Sequence, residues 1–381
     1  MIISKLALRN WRNFRSVDVN LSDRVFVIGP NASGKSNLLD VPRFLRDIAK
    51  PGGGLQQAIT QRGGLAKIRC LAARKEPDVE VEVELSDNGS GIGYKYAIGI
   101  HQQVRGYRQP ILRYEKVWRS QQLILQRPDP KDKQDEMRLT QTHLEQISAN
   151  AEFRPVARFF ESIRYFHVIP QLLRHPESFQ GPLASEDPYG RNFLEMVAKT
   201  GERTRKSRLH RIEAALRQAV PQLTKLTDTK DDAGIPHLEV VYEHWRPNAG
   251  RQREDQFSDG TIRLIGLFWS LLEGESPLLL EEPELSLNAE IVRQLPGLFA
   301  RLQRKRKRQL FISTHSWDLL SDKGIGGEEI LMLTPEKEGT RVAQASTDSE
   351  ARSLLDAGLS AADATMPRTR PPQLQQLDLF E

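Results

Sequence analysis

Val25-Phe26-Val27-Ile28-Gly29-Pro30-Asn31-Ala32-Ser33-Gly34-Lys35-Ser36-Asn37-Leu38-Leu39 is the stretch on which the reading of the chain turns. Its first four residues form a continuous apolar run, the pattern of a strand buried on both faces. Gly29 to Ser36 then read G-x-x-x-x-G-K-S, and the residues from Asn37 have the look of an opening helix. Strand, glycine-rich loop and helix in that order make a phosphate-binding loop, whose backbone N–H groups and helix N-terminus face a polyphosphate. Lys35 is expected to reach the β and γ oxygens of ATP, and Ser36 to take a Mg²⁺ coordination position. Gly29, Asn31, Ser33, Gly34, Lys35, Ser36 and Asn37 are therefore the candidate nucleotide-binding residues.

Composition sets wide bounds around that motif. With 381 residues, 38% hydrophobic and 28% charged, the chain can build a sizeable core without cross-links. No apolar run approaches membrane-spanning length, and Met1-Ile2-Ile3-Ser4-Lys5 lacks a secretory pattern, so a cytoplasmic protein without a membrane partner is expected. Cys70 is the only cysteine, and the eight histidines show no ligand spacing, which argues against a structural zinc site. The net charge of +5 is compatible with nucleic-acid contact.

Working outward, residues 2 to 9 alternate as a half-buried strand, and Ser16 to Leu21 supply a second one before the phosphate loop. Val79 to Leu85 alternate strictly and Tyr94 to Ile100 resume a strand pattern, so an antiparallel hairpin is expected, joined by a strand near Ile111 to Trp118. Prolines and charges between Pro128 and Asp135 predict an exposed loop, followed by proline-interrupted helices to about Ala219. No apolar heptad survives long enough for a coiled coil. Strand character returns at His237 to Tyr242. The charge run Arg301 to Arg308 lies between a helix and a strand and is read as a solvated connection, with a DNA-contacting patch as the alternative.

Three later pieces carry chemistry. Phe257-Ser258-Asp259-Gly260-Thr261 places a hydroxyl and a glycine at a helix N-terminus, the composition of an N-cap and of an anion site. Pro277 to Leu280 is an apolar strand running into Glu281-Glu282-Pro283-Glu284. Acids at the C-terminal end of such a strand can divide the labour, Glu281 holding the metal and Glu282 serving as base toward the attacking water. Gln309 to Ser316 is a further apolar strand, ending in Ser313-Thr314-His315-Ser316.

Taken together, these motifs resemble the ABC-type ATPase heads of the RecF/SMC/OLD-like group, and Leu8 to Arg15 are similar to that group's N-terminal strand-turn. The resemblance implies an α/β fold: a P-loop NTPase head over residues 1–345, with an antiparallel β portion at 65–125 and a helical lobe at 135–225 between phosphate loop and signature motif. It also implies an ATPase that closes as a homodimer around ATP. Ser258 and Gly260 would complete the partner's site, His315 would contact γ-phosphate, and Pro283 to Asn288 would lie at the dimer seam. Three departures stand out: Glu281 replaces the more frequent Asp, His-Pro is missing after the acidic motif, and the lid glutamine could be Gln57 or Gln61.

A short helical segment is expected at 346–366 and a flexible tail at 367–381, where Gln376-Leu377-Asp378-Leu379-Phe380 is similar to peptides that grip the replication sliding clamp. The expected role is a switch on DNA, in repair or in defence against foreign DNA. The segment after His315 is short, so a nuclease or other effector is expected on a separate chain. Two further readings stay open: an ATP-binding scaffold with little turnover, tethering a partner to the clamp, and the ATPase subunit of an ABC transporter.

Overall fold

Four apolar side chains in succession need cover on both faces, and Val25 to Ile28 obtain it, each no more than 1% exposed. A computed structural model of the chain describes residues 1–73, 77–87, 93–103, 108–175, 187, 189–246 and 250–370. In chain order its strands are β1 (Ile2–Trp11), β2 (Phe14–Asn20), β3 (Arg24–Ile28), β4 (Val79–Ser86), β5 (Tyr94–Gln102), β6 (Pro110–Arg119), β7 (Gln122–Arg127), β8 (Arg164–Phe166), β9 (Leu223–Lys230), β10 (Pro236–Tyr242), β11 (Arg251–Arg253), β12 (Leu278–Glu281), β13 (Leu310–Thr314), β14 (Ile330–Glu336) and β15 (Gly339–Gln344). They form three sheets, ordered β2-β1-β4-β5-β6-β7, β15-β14-β3-β13-β12-β8 and β11-β10-β9. The first sheet is antiparallel throughout, and the strict alternation of β4 puts Val79, Val81, Val83 and Leu85 on the buried face. In the second sheet β3 runs parallel to both β13 and β14, as a phosphate-loop strand requires.

The chain divides into two compact units, Met1–Arg164 with Ser276–Leu279 and Phe299–Glu381, and Tyr165–Glu275 with Leu280–Leu298. In the first unit a buried amide ties the base of β13 to the N-terminal strand. Gln309, 1% exposed, accepts from the Ile3 amide at 2.8 Å and donates to the carbonyls of Ile3 and Ser22 at 2.7 and 3.0 Å. Every polar atom of that side chain is thereby matched, which is the condition for burying it at little net cost. In the second unit the helix Glu202–Ala219 exposes most of its length and buries only the stripe Leu209, Ile212 and Leu216. That stripe shares a core with Leu226 and Leu238 of the three-stranded sheet and with Ile265 and Trp269 of the helix Asp259–Leu272.

Local structure departs from expectation in several places. Pro128 to Asp135 contain the short helix Pro130–Gln134, opened by an Asp129/Asp132 capping box with proline in its first turn. Asp132 is fully buried there, because Arg127 reaches it with two N–H groups at 2.9 and 3.0 Å. Residues 135–225, expected to be helical, include the strand β8 and a run of turns and 3₁₀ geometry before Arg154. Within the run Arg301 to Arg308, the first residues are largely solvated, but Arg308 is 1% exposed and donates to the Ser276 carbonyl. Residues 346–366 contain the helices Ser349–Asp356 and Ala361–Thr365. The peptide Gln376 to Phe380 lies outside the described residues.

Candidate nucleotide site

Gly29 and Gly34 frame the phosphate loop for steric reasons. A β-carbon on Gly29 would sit 2.6 Å from Ser33 Oγ and 2.8 Å from the Leu333 carbonyl. Gly34, at φ +97°, is in the left-handed region, and a β-carbon there would lie 2.2 Å from Asn13 Nδ2. Asn13 is the residue that braces the loop. Its Nδ2 donates to the Ser33 carbonyl and to Thr340 Oγ1, both at 2.8 Å, and its Oδ1 accepts from Asn37 Nδ2 at 2.8 Å. Trp11 Nε1 adds a bond to the Asn37 carbonyl at 2.9 Å. The N-terminal strand-turn is thus built into the loop's support, with Asn37 engaged there through both its side chain and its carbonyl.

Lys35 is 7% exposed and folds back over its own loop, donating to the carbonyls of Gly29 and Pro30 at 3.0 and 3.2 Å. Ser33 is fully buried, and its Oγ has no hydrogen-bond partner among the described residues. Asn31 and Ser36 are exposed. Parallel register brings the histidine strand alongside: Ser313 pairs with Val27 and Thr314 with Ile28, so exposed His315 leaves β13 at the level where Gly29 leaves β3. A cleft of about 390 Å³ beside Ser36 and Asn37 is lined by Arg12, Asp40, Arg43, Asp47, Gln61 and Arg62. Of the two candidate lid glutamines, Gln61 therefore shares a cleft with Ser36. Asp40 accepts from Arg12 at 2.7 Å and from Arg62 at 2.9 Å. Burial works to raise the Asp40 carboxyl, but the Arg62 and Arg12 guanidiniums outweigh it and hold the group below the usual range.

The second unit carries the acids and the signature. β12 ends at Glu281, whose carboxylate accepts from the Tyr165 hydroxyl while His167 Nδ1 lies 3.1 Å from its carbonyl. Glu282 follows at φ +43°, a conformation costing a residue with a side chain roughly 1–3 kcal/mol. Pro283 and Glu284 are buried, whereas Ser286, Asn288, Ala289 and Glu290 are exposed. Ser258 caps the helix Asp259–Leu272, its Oγ accepting from the Thr261 amide at 3.2 Å. Gly260 packs on the same turn: a β-carbon would lie 2.8 Å from the Ser286 carbonyl. Asp259 pairs with Arg174 at 2.7 Å. Arg263, one turn further on, is held below the usual guanidinium range by burial, against the opposing pull of Asp259, Glu282 and Glu284. Tyr165, His167, Arg174 and Arg263 were not singled out from the sequence. The aromatic alternation Tyr165-Phe166-His167 inside a stretch read as helical was the signal available for the first two.

A buried hydroxyl without a partner, two glycines with no room for a side chain, and a lysine curled over loop carbonyls fit a polyphosphate-holding loop. Among the described residues there is no group of three or more His, Cys, Asp and Glu that could hold a metal ion.

The fold is that of an ABC-type ATPase head, similar to the heads of SMC proteins. Residues 24–322 match the family described as "AAA domain, putative AbiEii toxin, Type IV TA system", and the chain belongs to that family. Among solved structures, it is similar to an SMC head bound to the C-terminal winged-helix domain of ScpA, with TM-score 0.54 and 13% identity over 90% of this chain and 98% of that one. It is also similar to the SMC head with an extended coiled coil, bound to the C-terminal domain of ScpA, from Pyrococcus furiosus, with TM-score 0.50 and 13% identity over 93% and 99%. Comparison with curated proteins gives no match. No helix among the described residues is long and apolar enough to cross a membrane.

Proposed function

We propose that the chain is an ATP-hydrolysing switch that dimerises around ATP and acts on DNA, in defence or repair, through a separate effector chain. The observation that carries this reading is the phosphate loop braced by Asn13, with Ser33 Oγ buried and unpartnered and His315 in register beside Gly29. In this assignment the loop amides and Lys35 hold the phosphates, and Ser36 with Glu281 would hold Mg²⁺. Mg²⁺ supplies charge neutralisation on the phosphates when bound. Tyr165 orients Glu281 by its hydrogen bond. Glu282 orients the attacking water and takes its proton, His315 reports on the γ-phosphate position, and Gln61 serves as the lid glutamine.

Exposure of Ser286, Asn288, Ala289 and Glu290, with the Ser286 carbonyl beside Gly260, supports the second half of the reading, in which signature and seam face another copy. The family's description names a toxin of a toxin–antitoxin system, which favours defence over repair. The SMC heads bound to ScpA favour a protein partner on a separate chain. The clamp-binding role of Gln376 to Phe380 stays part of the proposal through its sequence alone. The test is the mass of Glu282→Gln in solution with and without Mg-ATP, together with steady-state phosphate release. Expected are a nucleotide-dependent dimer and release at least 100-fold slower than wild type, in the range lost with a catalytic base (about 10²–10⁴). A monomer under saturating Mg-ATP would remove the dimer, and unchanged release would remove Glu282.

A further inference from the structure

Trp245 is 79% exposed, more than any other aromatic side chain among the described residues. A single exposed hydrophobic residue is ordinary. What sets this one apart is its company. The His244 ring stacks on the indole at 5.6 Å between centroids and 24° between planes, and the Arg246 guanidinium carbon lies 4.4 Å from the indole centroid. The Arg246 amide donates to His244 Nδ1 at 3.0 Å, which fixes the turn that presents all three. Another arginine–tryptophan pair of this unit is a contrast: Arg208 lies 5.0 Å from Trp269, which is fully buried in the core. At Trp269 the indole serves packing, whereas Trp245 is largely exposed.

The sheet that adjoins it in sequence continues the charge. Register places Lys225 and Arg251 either side of Val241, and Arg253 opposite Glu239, all on the face opposite to the buried Leu226, Leu238 and Val240. Lys225, Arg251 and Arg253 are exposed. Glu239 is the acid on this face, 3.6 Å from Arg251, and Glu243 precedes His244. Lys225, Arg246, Arg251 and Arg253 thus stand against Glu239, Glu243 and the exposed Asp255 beside a tryptophan that is largely exposed, an excess of cations next to an aromatic side chain by which single-stranded nucleic acid is held: a base on the ring and phosphates on the arginines.

We infer that Trp245, flanked by His244 and Arg246 and continued by Lys225, Arg251 and Arg253, is a stacking site for single-stranded nucleic acid. The inference rests on the DNA part of the proposed function and gives it a place and a strand form. The test measures binding of a labelled oligothymidylate of about 16 nucleotides, and of a duplex of the same length, to the full chain, with tryptophan quenching followed in parallel. Trp245→Ala should weaken single-strand binding about 10-fold or more, within the range measured for one stacked base, and Trp245→Phe should retain most of it. Quenching should disappear in Trp245→Phe. Arg251→Gln and Arg253→Gln should each lower the salt slope by about 1. Single-strand affinity unchanged in Trp245→Ala overturns the site while leaving DNA binding by the protein intact. Equal losses for single strand and duplex also overturn it, as does a partner protein that needs Trp245 while the oligonucleotide does not. Absence of any nucleic-acid binding by wild type overturns both the site and the DNA reading.

Discussion

Arg127 and Lys35 are both buried cations of the first unit, and their surroundings are built to opposite ends. Arg127, 1% exposed, donates to Asp132, to Glu115 at 3.2 Å and to the carbonyls of Gln141 and Arg138 at 2.7 and 2.8 Å. Glu115, also fully buried, accepts in turn from the amides of His143 and Leu144 and from the Tyr96 hydroxyl. Every partner in this network is internal, and it fastens the segment after β7 to the sheet. Lys35 bonds carbonyls of its own loop, beside a serine hydroxyl that has no partner. A network that serves folding closes its hydrogen bonds internally, while a site that serves a ligand leaves capacity in place.

The largest effect that would test this contrast is on the closed side. Arg127→Ala leaves Glu115 as a buried acid without its cation and Asp132 with only the more exposed Arg138 at 3.0 Å, and should cost about 3–5 kcal/mol in denaturant unfolding. Burial already pushes the Glu115 carboxyl up, with the amides of His143 and Leu144 and the Arg127 charge pulling against it. Without the guanidinium it should rise further, so the variant should recover part of its deficit as pH is lowered toward the carboxylate range. A loss under 1 kcal/mol would mean that the network is not what fixes the segment.

Gly34→Ala tests the brace between the two kinds of region. The left-handed backbone at φ +97° and the 2.2 Å approach to Asn13 act together, so a loss of roughly 1–3 kcal/mol is expected, with nucleotide binding falling as Asn13 is displaced. Asn13→Ala in the same background should recover part of the stability but none of the binding. Full additivity of the two substitutions would refute the brace.

What could be read in the sequence was what local pattern dictates. The phosphate loop, the Val79 to Ile100 hairpin, the Ser258 cap and the acids ending β12 follow from spacing within a few residues, and all have the expected local structure. The support of the loop by Asn13 was not legible, because it depends on Thr340, distant in sequence. Arg127 and Asp132 were hidden for a different reason: charges and prolines read as solvent-exposed until a partner across the fold is known. The three-residue strand β8 is too short to show alternation, so Tyr165 and its bond to Glu281 were read through as helix.

The smallest effect separates the two sides most sharply. Ser33 Oγ is fully buried and has no hydrogen-bond partner among the described residues, so Ser33→Ala removes a hydroxyl that contributes nothing to the bonding among them. Its stability should change by about 0.5 kcal/mol or less, or rise, because an unsatisfied polar atom is deleted. The nearby Gly29 still has no room for a side chain, and the loop backbone keeps its path. Nucleotide affinity should nevertheless fall, by about 5-fold or more if the hydroxyl gains one bond of about 1 kcal/mol from the ligand. Titration with a fluorescent ATP analogue beside thermal unfolding of the same variant reads both quantities. A stability loss above 1 kcal/mol with unchanged affinity would place Ser33 with Arg127, among the residues that build the fold.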